Sequence, residues 1–187
     1  TSHEAIMNWS KFDIGENSAV QFIQPGTTAA VLNRVSDASG TGIMGSLTAN
    51  GRVFILNPAG VVFGKNGSIN VNQLVASSLN LSDDDFKNGA PYHFQDGMAA
   101  GNVTFNADAS NVTAERLYLI GKNVRNQGGL VANDFVVMAA GDTVTIAEPG
   151  SNVTVEVGMG GNDTGNFEVR NQAAVGDDDD DVETRLE

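Results

Sequence analysis

The chain is cut into short apolar segments of three to six residues, and Gly, Asn, Asp or Ser closes most of them. Helices of a packed core need longer runs at a 3.6-residue period, and no stretch sustains one. The expected strands are Ala19–Ile23, Ala30–Val35, Gly42–Leu47, Arg52–Leu56, Val61–Phe63, Ser68–Val71, Val103–Asn106, Arg116–Ile120, Asp134–Ala139, Thr143–Ile146 and Val153–Val157. Val, Thr, Ile and Phe recur in them, as strands favour. The one short helix expected starts at Ser82-Asp83-Asp84-Asp85-Phe86, where Ser can cap and the acids face the positive helix end.

A weak repeat sets the architecture. Offset by twenty residues, Leu119-Ile120-Gly121-Lys122-Asn123-Val124 lies over Ala139-Ala140-Gly141-Asp142-Thr143-Val144. About 20 residues is the length of one solenoid coil of three short strands. Frequent Asn fits as well, because stacked Asn side chains form hydrogen-bonded ladders. A parallel β-helix is therefore expected from about residue 60 onward, with a Greek-key sandwich as the competing architecture.

Between Val53–Leu56 and Val61–Phe63 lies Asn57-Pro58-Ala59-Gly60. Asn at i, Pro at i+1 and Gly at i+3 suit a type I turn. With Gly60 left-handed, the stretch reads as a three-residue hairpin loop with a bulge.

Charge and composition exclude several functions. The 187 residues carry 10 Lys+Arg against 23 Asp+Glu, a net charge of −13. Nucleic-acid binding needs a basic footprint, so no such partner is expected. With no Cys there is no disulfide scaffold, thiolate metal site or Cys nucleophile. No apolar run approaches the roughly 20 residues of a membrane helix, and no signal peptide opens the chain.

The order of several motifs is more specific than any one of them. It runs Asn8-Trp9, Phe12-Asp13-Ile14-Gly15, Val20-Gln21-Phe22-Ile23-Gln24-Pro25, Leu32-Asn33-Arg34-Val35 and Ile43-Met44-Gly45-Ser46-Leu47. Asn50-Gly51-Arg52-Val53-Phe54-Ile55-Leu56-Asn57-Pro58-Ala59-Gly60-Val61-Val62-Phe63-Gly64 follows, then Ile69-Asn70-Val71 and Leu74-Val75-Ala76-Ser77-Ser78. Over about residues 5 to 150 this series resembles the haemagglutination-activity domain of two-partner secretion exoproteins, the filamentous-haemagglutinin-like proteins of Gram-negative bacteria.

That resemblance implies an all-β, right-handed parallel β-helix with N-terminal capping strands and an extra-helical β-hairpin. It implies a secretion signal and folding nucleus at the front of a longer exoprotein. The partners would be an outer-membrane β-barrel transporter with periplasmic POTRA domains and the downstream passenger of the same chain. The protein would pass through periplasm and outer membrane to the cell surface or medium, as a monomer, with no cofactor, metal or catalytic residue. The family motif is usually Asn-Pro-Asn-Gly, whereas the third residue here is Ala59; the loss of a side-chain hydrogen bond would cost about 1 kcal/mol. The family also has strands ahead of Ala5–Trp9 and, in some members, a second Asn-Pro motif that is absent here.

The expected boundaries are a β-helix domain over 1–158, with cap and first coils in 5–60 and further coils in 61–158. Residues 159–187 are an acidic tail whose final Leu186-Glu187 resembles a cloning remnant. Asn57, Pro58 and Gly60 are expected to shape the turn, and Asn33 and Arg34 to hold structure, with Arg34 pairing a carboxylate or capping carbonyls. Val20, Phe22, Ile23, Val53, Phe54 and Ile55 are the candidate transporter-contact strands, offered to a sheet edge. Trp9, Phe12, Phe22 and Phe54 are expected to pack.

Two other functions fit less of the sequence. A glycan-binding adhesin wants stacking aromatics, and there are one Trp and two Tyr. A β-helix polysaccharide lyase wants a charged cluster on one face, and the ten cationic residues are scattered. His93 near Asp96 has no nucleophile beside it. Asp83–Asp85, Asp177–Asp181 and Gly160–Asp163 lack the spacing of a Ca²⁺ loop, and the Asn-x-Ser/Thr triplets at Asn111 and Asn152 are expected by chance.

Overall fold

The computed structural model describes residues 3–95, 101–148, 153–158 and 167–172. Asp96, Asn152, Gly160–Asp163, Asp177–Asp181 and Leu186-Glu187 lie outside them.

The strands wind into a parallel β-helix. The first coil holds β1 (Glu4–Trp9) and β2 (Ala19–Phe22), with a bridge at Ile14 between them. The second holds β3 (Ala30–Val35), β4 (Thr41–Ile43) and β5 (Ser46–Ala49). The third runs through β6 (Arg52–Leu56) and β7 (Val61–Phe63) into β8 (Ser68–Ser77), which bends into the fourth coil. A first insertion follows: β9 (Asn80–Leu81), α1 (Asp83–Asn88) and β10 (Tyr92–Gln95). The coil resumes with β11 (Asn102–Phe105) and β12 (Val112–Gly121), then β13 (Asn123–Asn126) and β14 (Phe135–Ala140). A second insertion carries β15 (Thr143–Ala147) and β16 (Thr154–Gly158), and β17 (Glu168–Asn171) returns to the helix.

Two coil faces stack in the orders β1-β3-β6-β8-β12-β14 and β4-β7-β11-β13-β17, and β2, β5 and the starts of β8 and β12 make the third. Parallel register measures the coil. Ala30 pairs with Arg52 and Asn102 with Asn123, steps of 22 and 21 residues. Where an insertion intervenes the step grows: Gln73 pairs with Arg116, and Asn123 with Glu168.

The insertions pair with each other. β10 lies antiparallel between β9 and β15, and β15 pairs antiparallel with β16. This four-stranded sheet covers the outside of the first face. Val31, Val53, Leu74 and Leu117 stack inside the helix, while their neighbours Leu32, Phe54, Val75 and Tyr118 point outward into a second core with Phe86, Tyr92, Phe94, Val144 and Ile146. Strands buried on both faces read as continuous apolar runs, which explains Val53-Phe54-Ile55-Leu56.

Several expectations are corrected. Asn57–Gly60 does not close a hairpin: β6 is bonded on both edges by β3 and β8, so β7 has no edge to pair with and starts the next face. The extra-helical hairpin, β15 with β16, is part of a four-stranded sheet. Gly42–Leu47 is two strands, because the chain turns a corner at Met44-Gly45; a Cβ on Gly45 would lie 2.2 Å from the Gly15 carbonyl oxygen. The repeat steps by 19 residues, Leu119 pairing with Met138, and its second copy leaves the coil after Gly141. β17 pairs with β13 from within the segment assigned to the tail. The short helix is where it was expected, over Asp83–Asn88, and the Ser82 side chain caps it by accepting from the Asp85 amide.

Candidate functional site

The Asn-Pro corner is a hydrogen-bonded junction of three coils. The Gly60 amide donates to the Asn57 carbonyl at 2.8 Å, closing the turn. Asn57 is fully buried. Its Oδ1 accepts from the Ala59 amide at 2.9 Å, and its Nδ2 donates to Thr41 Oγ1 at 3.1 Å in the preceding coil. Gly60 takes φ +110°, a left-handed conformation that favours Gly. Its carbonyl accepts from the Thr41 amide at 3.0 Å, and the Pro58 carbonyl accepts from the Gly101 amide at 3.1 Å in the following coil. Ala59 is exposed, so the departure from the family motif falls where no buried bond is at stake.

Asn33 and Arg34 face opposite ways. Asn33 is buried inside the helix, where Oδ1 accepts from Trp9 Nε1 at 3.0 Å and Nδ2 donates to the Phe54 carbonyl at 3.2 Å. It fixes the cap strand to the next two coils. Arg34 points outward and clamps the first insertion. One nitrogen donates to the Leu81 carbonyl at 2.7 Å, and another lies 2.8 Å from the Asp83 carboxylate.

The candidate contact strands divide sharply. Val53, Phe54 and Ile55 are 0% exposed in a strand bonded on both sides, so the folded domain does not present them. β2 is different. Among the described residues it pairs only with β5, so its other edge has no strand partner there. Ser46 donates its amide to the Ser18 carbonyl. Alternate residues of a parallel strand bond to the same neighbour, so the Ala19 and Gln21 backbone groups face away from β5. Val20 and Phe22 pack against the helix core, and Ile23 beyond them is 85% exposed.

One cluster is invisible in the sequence. Glu148, just after β15, accepts from Tyr118 Oη at 2.7 Å, Arg116 Nη1 at 3.0 Å and Gln73 Nε2 at 3.5 Å. It ties the second insertion to the outer face of β8 and β12. Burial, then the Glu148 carboxylate, pushes the Tyr118 hydroxyl far above the ordinary tyrosine range. These residues are up to 75 apart in sequence, and only the fold joins them. Gly101 was likewise missed, since the first insertion hides its stacking on the Asn-Pro corner. His93 is exposed and lies 3.1 Å from Thr145 Oγ1. Asp83 serves Arg34 and Asp85 accepts from Ser82 Oγ at 2.6 Å.

The model of the TPS secretion domain family matches residues 1–179. A heme/hemopexin-binding protein of Haemophilus influenzae (strain ATCC 51907 / DSM 11121 / KW20 / Rd) is 31% identical over 156 residues, 80% of this chain and 17% of that protein. Another heme/hemopexin-binding protein of Haemophilus influenzae is 41% identical over 80 residues, 43% of this chain and 9% of that one. The crystal structure of the HMW1 secretion domain from Haemophilus influenzae superimposes with a TM-score of 0.74 at 28% identity, covering 85% of this chain and 45% of that chain. The chain thus spans under a fifth of the curated relatives it matches.

Proposed function

Because the chain belongs to the TPS secretion domain family, we propose that it is the secretion signal and folding nucleus of a Gram-negative two-partner exoprotein, received by the POTRA domains of an outer-membrane β-barrel transporter. The observation that carries this reading is the edge of β2 that no described strand covers. An unpaired parallel edge with outward amides and carbonyls accepts another strand by main-chain hydrogen bonds, and Ile23 beside it supplies an apolar anchor. Val53, Phe54 and Ile55 meet the transporter only before the coil closes, as extended chain. Asn33, Arg34, Asn57, Pro58 and Gly60 act indirectly, by holding the cap and first coils in register.

Folding supplies the direction of transport in this reading. The coils stack in sequence order, so each one formed outside gives the next an edge to pair with. The domain is exported with its passenger to the cell surface or medium, and no residue is assigned to catalysis.

Export of a fused passenger tests the proposal. Gln21→Pro with Ile23→Lys removes the outward amide and the apolar anchor while sparing the β5 side of the ladder. Export is expected to fall at least tenfold, and binding to the purified periplasmic part of the transporter to weaken in parallel, with the thermal midpoint of the folded domain nearly unchanged. Full export with both changes in place would overturn the assignment.

A further inference from the structure

The ladder that holds β2 runs one step past its backbone partner. β2 and β5 pair in parallel as far as Phe22 and Ala49. There the chain turns at Asn50-Gly51 to begin β6, and the Asn50 side chain takes over. Its Oδ1 accepts from the Gln24 amide at 2.7 Å, and its Nδ2 donates to the Gln24 carbonyl at 2.8 Å. A carboxamide carries the donor and acceptor of a peptide group, so Gln24 is bonded as one more residue of strand would bond it. The Gln24 side chain returns the contact. Its Oε1 accepts from the Gly51 amide at 3.0 Å, and its Nε2 donates to the Ala29 and Arg52 carbonyls at 2.9 and 3.1 Å.

This bracket fixes what Ile23 presents. Exposed and half-buried residues alternate without a break from Ala19 to Gln24, the period of an extended strand. The Gln24 backbone groups face the second coil. Those of Ile23 therefore face the edge that no described strand covers, as those of Ala19 and Gln21 do. Neither the amide nor the carbonyl of Ile23 bonds another group among the described residues. Its side chain is 85% exposed.

Resting on the transporter reading above, we propose that the receiving strand pairs as far as Ile23 and ends in an apolar socket for the Ile23 side chain, with Asn50 as the positioning residue that holds this last pair ready. Without the bracket, β2 offers the outward backbone groups of Ala19 and Gln21 alone. Main-chain bonds give such an edge affinity, and pockets for alternate side chains give it specificity. Of the three outward side chains, Ala19, Gln21 and Ile23, only Ile23 is large and apolar. A group already held in its bound conformation loses less freedom on docking, which is what the Asn50 and Gln24 side chains contribute. The partner chemistry follows: an uncovered strand edge in the periplasmic part of the transporter, with an apolar pocket level with its last pair.

Amide exchange by NMR and binding to the purified periplasmic part of the transporter test this together. In the unbound chain the Gln24 amide is expected to exchange at least tenfold more slowly than the Ile23 amide. Asn50→Ala should erase that difference, and Asn50→Asp, which keeps the acceptor, should retain it. Ile23→Ala should weaken binding about tenfold, as losing most of one buried aliphatic side chain does. Asn50→Ala should weaken binding at least fivefold in the parent. In an Ile23→Pro background, where the outward amide and the side chain are already gone, it should weaken binding less than twofold. Equal losses in both backgrounds, or an unchanged Gln24 exchange rate in Asn50→Ala, would overturn the positioning role. Binding of Ile23→Ala within twofold of the parent would overturn the socket. Gln21→Pro then separates the two readings: binding lost there leaves the β2 edge standing, and binding kept there sinks it as well.

Discussion

Gly101 abuts Ala59 in the neighbouring coil so closely that a Cβ on Gly101 would lie 2.1 Å from the Ala59 carbonyl carbon and 2.2 Å from the Gly60 nitrogen. The Asn-Pro corner is thus packed backbone to backbone from below while Thr41 holds it from above. Gly101→Ala is expected to destabilise the domain by about 1–3 kcal/mol through overpacking, read as a lower urea midpoint at unchanged m-value. Asn57→Ala should cost a similar amount, about 1–3 kcal/mol, by stranding its buried partners. Ala59→Asn, on the exposed position, should stay within about 0.5 kcal/mol of the parent. A large effect there with none at Gly101 would mean the corner is not held as described.

Arg34 is the clamp on the first insertion. Its bond to the Leu81 carbonyl is charge-assisted and partly buried, worth about 1.5–3 kcal/mol, whereas the Asp83 carboxylate is half exposed and contributes little. Arg34→Met should speed amide exchange over α1 and β9 more than elsewhere in the chain. Arg34→Lys should recover little of it, since a flexible, strongly hydrated ammonium does not hold the Leu81 carbonyl as the planar guanidinium does. Asp83→Asn should be nearly silent.

Phe54 sits in the second core, with ring centroids 5.2 Å from Phe86 and 5.3 Å from Tyr92. Phe54→Ala should cost about 3–5 kcal/mol and loosen the extra-helical sheet. Calorimetry on the variant should show a lower midpoint together with new dye-binding surface; an unchanged midpoint would contradict the two-core description.

Tyr118 gives a pH dependence of definite sign. The folded state favours the neutral phenol, so its pKa is raised above the unfolded value. That contribution is complete below about pH 10, the ordinary tyrosine range. It is lost as pH rises above that range, by at most about 1.4 kcal/mol per pH unit. Tyr118→Phe should flatten this alkaline loss. At neutral pH it should cost about 1 kcal/mol, because Glu148 loses a donor. A parent and variant that weaken identically above pH 10 would place the effect elsewhere.

The strands legible in the sequence were those with a sharp stop. Ala30–Val35, Arg52–Leu56 and Val61–Phe63 end at Asp, Asn or Gly corners, and the structure gives them the same limits. β1 is not among the expected strands because Ala5, Ile6, Met7 and Trp9 do not alternate with polar residues, and none of them is fully buried, as in an edge strand. β10 was missed because Tyr92-His93-Phe94-Gln95 lies between helix and loop signals, and its partner β15 is some fifty residues on. β8 and β12 run longer than expected because each turns a coil corner without a break, at Asn72 and Glu115, so no Gly or Pro marks the bend. The corner at Asn57 was legible as a turn, but not as a step between faces. A local motif fixes dihedral angles, and which neighbour each strand then finds is decided by chain far away. For the same reason the roles of Gly101 and Glu148 were hidden.

The extra-helical sheet joins strands from two insertions, and that pairing has a consequence for timing. β10 has its partner β9 from the start, but its other edge waits for β15. For a chain emerging from its N-terminus, the wait is everything between Gln95 and Thr143. Until then the outward side chains of Leu32, Phe54 and Val75 lack the cover that Val144 and Ile146 of β15 bring. Closure of the sheet is therefore a register of arrival: it cannot occur until four further strands, β11 to β14, and then β15 have come through, and once it occurs the earliest coils are bolted to the latest. An exported chain that slid backward past Ala147 would have to undo that bolt first.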